Sequence, residues 1–150
     1  MPNVVKYFRL AAAAAFAGGL IAVAGAADIG QIKVVKGQVS IERAGEVLPA
    51  SVGLRLRGAD ILTTGADGAV GITMSDNSLL SAGPNSVLSL DRFDFDSTTN
   101  QGQFDATLKK GSLAVISGRL AKQTPDAMKV RTPSSTLGVR GTEFVVSAND

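Results

Sequence analysis

Val70, Ile72 and Met74 alternate with Gly71, Thr73 and Ser75, and Asp76-Asn77-Ser78 then turns the chain back. A period of two puts every second side chain on one face, the mark of a strand with one side buried. The rhythm recurs in Val39 and Ile41, in Val87 to Leu90, and in Phe104, Ala106 and Leu108. Between these segments stand turn formers: Lys36-Gly37, Ala44-Gly45-Glu46, Gly58-Ala59-Asp60, Gly65-Ala66-Asp67 and Gly83-Pro84-Asn85-Ser86. The only helical signal after the leader is one turn at Leu120 to Gln123, before Pro125. Short strands at regular spacing predict an all-β domain: a compact sandwich, roll or barrel of short antiparallel strands. The regular turns leave a short β-helix as the alternative.

Several local expectations follow. The first strand, Ile29 to Val35, places Ile32 and Val34 on one face. Pro49 confines its segment to a sheet edge or loop, because proline cannot donate to a ladder. Phe93 and Phe95 share a face opposite Asp94 and Asp96, and Ser97 to Gly102 reads as a flexible polar loop. Lys110-Gly111 reads as a turn of a hairpin into Leu113 to Ile116.

The chain opens differently. Lys6 and Arg9 precede an apolar run from Leu10 to Val23, and Ala24-Gly25-Ala26 offers small residues for cleavage. This is the pattern of a secretory signal peptide over residues 1–26, leaving 27–150 as one domain. The run has 14 residues, short of the roughly 20 that span a bilayer. Membrane contact is therefore expected only if the segment stays uncleaved. The expected location is periplasmic or secreted.

The leader also accounts for the basic balance. Of 15 Lys and Arg, Lys6 and Arg9 lie in it, whereas all 13 Asp and Glu follow it. The domain is formally neutral, which argues against a nucleic-acid partner. Cysteine and histidine are absent, which removes disulfides, thiol chemistry and the commonest general base and metal ligand. Ser134-Ser135-Thr136 has no base at a nucleophile-activating spacing, and no glycine-rich phosphate loop precedes a helix. No enzyme and no cofactor are expected. Asp91, Asp94 and Asp96 are the candidates for a Ca²⁺ site, and Asp94 and Asp96 for an acid/base pair; the competing reading is a solvated strand face.

The last stretch runs Val130-Arg131-Thr132-Pro133-Ser134-Ser135-Thr136-Leu137-Gly138-Val139-Arg140-Gly141-Thr142-Glu143-Phe144-Val145-Val146. Pro133 fixes φ and holds Thr132 extended, while hydroxyls at 134 to 136 can hold a turn. Gly138 and Gly141 suit positive φ. Arg140 either pairs with a carboxylate and pins the bend, or faces a partner. Glu143 to Val146 reads as a short closing strand.

This stretch, with Thr132, Pro133, Gly138, Arg140, Gly141, Thr142 and Phe144 as its marked positions, resembles the end of the FecR domain of ferric-citrate-type signal regulators. Gly37, the Gly58 to Gly65 segment, Pro84 to Leu90 and Gly111 to Val115 fit in order, so the resemblance spans roughly Ile32 to Val146. It implies a periplasmic signalling context, in which such domains couple an outer-membrane transducer to a cytoplasmic sigma factor. Only nine residues precede the apolar run, fewer than the cytoplasmic region of a full regulator. The expectation is thus a lone exported domain of a Gram-negative bacterium, with a protein partner in the envelope and an accessory role in iron-linked signalling. An envelope scaffold that self-associates through strand edges, and a small-ligand or Ca²⁺-binding domain, are the alternatives. Strand edges accept a partner through backbone hydrogen bonds alone.

Overall fold

The computed structural model describes residues 27–124, 126–139 and 143–149. Among these residues twelve strands and one short helix form, in chain order, β1 (Asp28–Lys36), β2 (Val39–Arg43), β3 (Glu46–Pro49), β4 (Arg55–Arg57), β5 (Ile61–Thr64) and β6 (Ala69–Met74). β7 (Leu79–Ala82), β8 (Val87–Asp96), β9 (Gln101–Ile116), α1 (Arg119–Gln123), β10 (Met128–Arg131), β11 (Thr136–Gly138) and β12 (Glu143–Ala148) complete the series. The all-β expectation holds. The ladders are antiparallel except one: β10 runs parallel to β9, with Met128 opposite Phe104. A parallel partner needs a crossover, and the segment containing α1 supplies it.

β9 organises the whole. Its first half pairs with β8 and β10, in a sheet with the order β3-β2-β5-β8-β9-β10-β11. Its second half pairs with β7 and β12, in a sheet with the order β4-β1-β6-β7-β9-β12. One strand thus passes from one sheet to the other, and the curled whole encloses a single core. Leu62, Leu88, Phe104 and Leu108 meet Ile32, Ile72, Leu80 and Leu113 in it. Each alternating segment of the sequence supplies its apolar face to this core, as the hydrophobic effect requires.

The switch happens at Gly111, whose φ is +94°. Lys110-Gly111 is therefore a bend inside a continuous strand and not the turn of a hairpin. Ser86 fills the corner: its Oγ accepts a hydrogen bond from Ser112 N at 3.0 Å, and its own N–H donates to Thr64 Oγ1 at 2.8 Å. Thr64 Oγ1 in turn donates to Gly83 O at 2.7 Å. The Gly-Pro-Asn-Ser turn is tied to both sheets.

Three other local expectations change. A register shift between Ile32 and Val34 in the β1·β6 ladder is a β-bulge at Lys33. One extra residue inverts the alternation, so Ile32 is buried while Val34 is 48% exposed on the outer face. Ser97 to Gly102 is shorter as a loop than expected, since β8 continues to Asp96 and β9 begins at Gln101. Gly138 lies in β11 opposite Lys129 without a left-handed φ, and a Cβ there would stand 3.3 Å from Asp126 Oδ1. Close approach, and not positive φ, is what its missing side chain allows.

α1 is short and is held from outside. The buried Asp76 accepts Ser78 N (3.0 Å) on Oδ1, and Ser78 Oγ (2.8 Å) and Leu120 N (3.3 Å) on Oδ2. Its carbonyl accepts Arg119 N at 2.8 Å, and Ser78 Oγ accepts Gly118 N at 2.9 Å. The β6–β7 turn therefore satisfies the amides that a helix start leaves open. Replacing Asp76 by Ala orphans several buried donors. It is expected to cost about 1–3 kcal/mol in urea unfolding and to speed amide exchange at Leu120; unchanged exchange at Leu120 would show that α1 does not depend on this contact.

Candidate functional site

The polar residues that look most like chemistry are engaged in holding the fold. Asp60, at 1% exposure, receives Arg43 Nε on Oδ1 at 3.0 Å, and Arg43 Nη2 and Arg57 N on Oδ2, both at 2.8 Å. Arg43 Nη2 also donates to Arg55 O at 2.9 Å. The hydrogen bond to Asp60 raises the pKa of Arg43, against the lowering effect of burial. The cation is retained over the whole physiological range. Because Arg43 ends β2 and Arg55 and Arg57 belong to β4, this cluster fastens one sheet to the other. The sequence shows Asp60 only as a turn residue. Nothing in its spacing marks Arg43 as the partner 17 positions earlier.

Asp91, Asp94 and Asp96 do not converge. Asp91 accepts hydroxyls from Ser89, at 2.7 Å, and from Thr107. Asp94 pairs with Arg92 Nε at 2.7 Å on the exposed surface. Asp96 Oδ1 accepts the N–H of Thr98 at 2.8 Å and closes the hairpin turn. A bulge between Ser89 and Arg92 separates Asp91 from the other two. Among the described residues no three acidic side chains gather as a metal site. An open groove of about 690 Å³ lies between the start of β1 and the β8–β9 hairpin, lined by Ile29, Phe93 and Phe95 beside Asp94 and Asp96. The two phenylalanines share its face, with ring centroids 6.4 Å apart, and Phe93 stacks edge-on against the core Phe104 at 5.4 Å.

The closing motif divides. Thr132 holds the turn around Pro133: its N–H donates to Ser135 O at 2.8 Å, and its Oγ1 accepts Ser135 N at 3.1 Å. Phe144 packs half-buried against the core, opposite Val115. Arg140, Gly141 and Thr142 lie outside the described residues, as does the stretch 1–26 in which a leader is expected.

What the fold leaves open is sheet edge and sheet face. The four edge strands are β3, β4, β11 and β12. Three carry devices that discourage added strands. β3 ends in Pro49, β4 is three residues long with Arg55 and Arg57, and β11 is three residues long. β12 has six residues, no proline, no lysine or arginine and no bulge in its ladder with β9. Among the described residues its other edge pairs with no strand.

The outer face beside that edge carries a single charged side chain between β6 and β12, Glu143. One cross-strand row reads Val34, Gly71, Ser81, Ala114 and Val145. The next reads Gln31, Thr73, Leu79, Ile116 and Glu143. Val34, Leu79, Ile116 and Val145 are all exposed, Val145 at 70%. Gly71, Ser81 and Ala114 stand between Val34 and Val145 in the first row. Scattered exposed apolar residues need no explanation, whereas a contiguous patch marks an interaction surface.

The fold is thus an all-β domain with Asp60 and Asp76 engaged in holding it together and one long sheet edge open among the described residues. The FecR protein family matches residues 60–150. The chain therefore belongs to the FecR family, one of envelope signalling regulators and not of enzymes. No curated protein and no solved structure matches it significantly. The match takes in β5 to β12, including the β9 switch, the closing motif and the open edge, and it begins at the buried Asp60. No helix among the described residues is long and apolar enough to cross a membrane.

Proposed function

We propose that this chain is an exported, non-enzymatic protein-interaction module of the Gram-negative envelope, with an accessory part in signalling. Its domain follows a leader over residues 1–26 and works in the periplasm. The observation that carries this reading is the outer face between β6 and β12, with Leu79, Ile116 and Val145 exposed and Glu143 its single charge, beside an unblunted edge. Family membership supports the same reading from another side. Burial of such a face against a partner gains hydrophobic free energy and brings only the Glu143 carboxylate near the contact. An edge strand adds backbone hydrogen bonds at no cost in side-chain specialisation.

The test is photo-crosslinking in living cells with the full chain carrying a photoreactive residue at Leu79, and a control at the exposed Val52 on the β3–β4 connection. Adducts to envelope proteins from position 79 and none from 52 are the expected result. An outer-membrane receptor or inner-membrane regulator among them places the chain in a signalling relay, and envelope scaffolds place it in a structural assembly. No adduct from position 79 would remove the reading.

A further inference from the structure

We infer that β12 is a homodimerisation edge, pairing antiparallel with β12 of a second copy so that Val145 stands opposite Val145. This deepens the reading of that face as an interaction surface and rests on it. The β12 edge is complementary to its own copy. In an antiparallel pair, directly opposite residues lie on the same face of the sheet. With Val145 on the two-fold axis, Phe144 faces Val146 and Glu143 faces Ser147. The half-buried and buried side chains stay on the inner face, and the acidic side chain meets a hydroxyl instead of its own copy. Like charges directly opposite each other would weaken the pair.

The outer face gives the same register. The row Val34, Gly71, Ser81, Ala114 and Val145 runs across five strands and ends at the edge. Pairing about Val145 joins this row to its copy and brings the two most exposed valines of the face together. Moving the axis to Val146 would set Val145 against Ser147 and break the row. The remaining edges decide how far assembly goes. β3, β4 and β11 are shortened or carry proline or arginine, so β12 finds no second edge of this chain to grow on. An isologous contact of that kind closes at two copies and makes no fibre.

The chain has no cysteine, so one introduced thiol reads the register cleanly. Purified full-length protein with Val145→Cys is compared, under mild oxidation, with Val47→Cys, an equally exposed valine on β3. Directly opposite Cα atoms of an antiparallel pair are about 4.5–5.5 Å apart, within the Cα separation that a disulfide spans. Crosslinking from position 145 is expected to exceed that from 47 roughly tenfold or more, because pairing raises the effective concentration. Val145→Lys in the unmodified chain is expected to turn a dimer into a monomer in sedimentation, with its circular dichroism unchanged. Equal crosslinking at 145 and 47, or wild-type protein that sediments as a monomer at every concentration, overturns the inference. Foreign envelope proteins captured from Leu79 in cells while the purified chain stays monomeric would overturn self-pairing and leave the proposed function standing.

Discussion

Asp60→Ala is expected to remove about 3–5 kcal/mol of stability, the range for breaking one side of a buried ion pair. Asp60 is 1% exposed and the Arg43 side chain 22%, so little solvent is available to take over the lost partner. Three donors converge on the carboxylate, and after substitution the guanidinium and the Arg57 amide are left without it. The effect is also architectural. β9 joins the two sheets covalently along one seam, and the Arg43–Asp60 cluster joins β2 to the β4 backbone along another. Urea unfolding should show the loss, and amide exchange should rise first in β4 and β2. Arg43→Met combined with Asp60→Leu should recover much of the stability, because an apolar pair of similar volume avoids the desolvation of both charges. A loss below about 1 kcal/mol for Asp60→Ala would show that water reaches the pair and that the cluster contributes no more than a surface bridge.

Particular residues show what could be read from sequence and what could not. The period-two segments at β2, β6 and β8 and the turns at Gly37, Gly45 and Asp76 were legible, because alternation and turn chemistry are local. The closing motif pointed to the family and to β12 for the same reason. Val34 was placed on the wrong face because a bulge changes parity without leaving a mark in composition. Lys110-Gly111 resembles the hairpin turn at Lys36-Gly37 residue for residue. What separates them is tertiary: Gly37 ends its strand, while β9 goes on through Gly111 because Leu113 and Val115 find the core on the other sheet. The roles of the acidic candidates also depend on contacts that spacing does not show. Asp94 and Asp96 do share a face, yet Asp96 is taken up by its own turn and Asp94 by Arg92. Arg43 was invisible as a partner because its contact with Asp60 depends on how the sheets close. The open edge of β12 could not be inferred before the neighbours of every strand were known.

The switch in β9 yields the second large effect. A Cβ on Gly111 would stand 2.5 Å from Ser86 Cα and nearer still to Ser86 Oγ. Ser86 cannot step aside, since its Oγ and N–H are tied to Ser112 and Thr64. The φ of +94° is also one that side chains rarely adopt. Gly111→Ala therefore adds backbone strain to a collision with packed backbone, and about 3 kcal/mol or more should be lost. Gly45→Ala separates the two contributions. Gly45 has φ +81° at the β2–β3 turn, with nothing within 4 Å of the added Cβ. It should lose only about 1 kcal/mol, from strain alone. Equal losses at the two sites would mean that the corner relaxes and that Ser86 does not lock it. The unequal result would place the cost in the contact that turns one strand into a member of two sheets. Because β12 is aligned on the second half of β9, the same substitution should also weaken its edge. Val145→Cys crosslinking in the Gly111→Ala background should then fall even at temperatures where most of the chain remains folded.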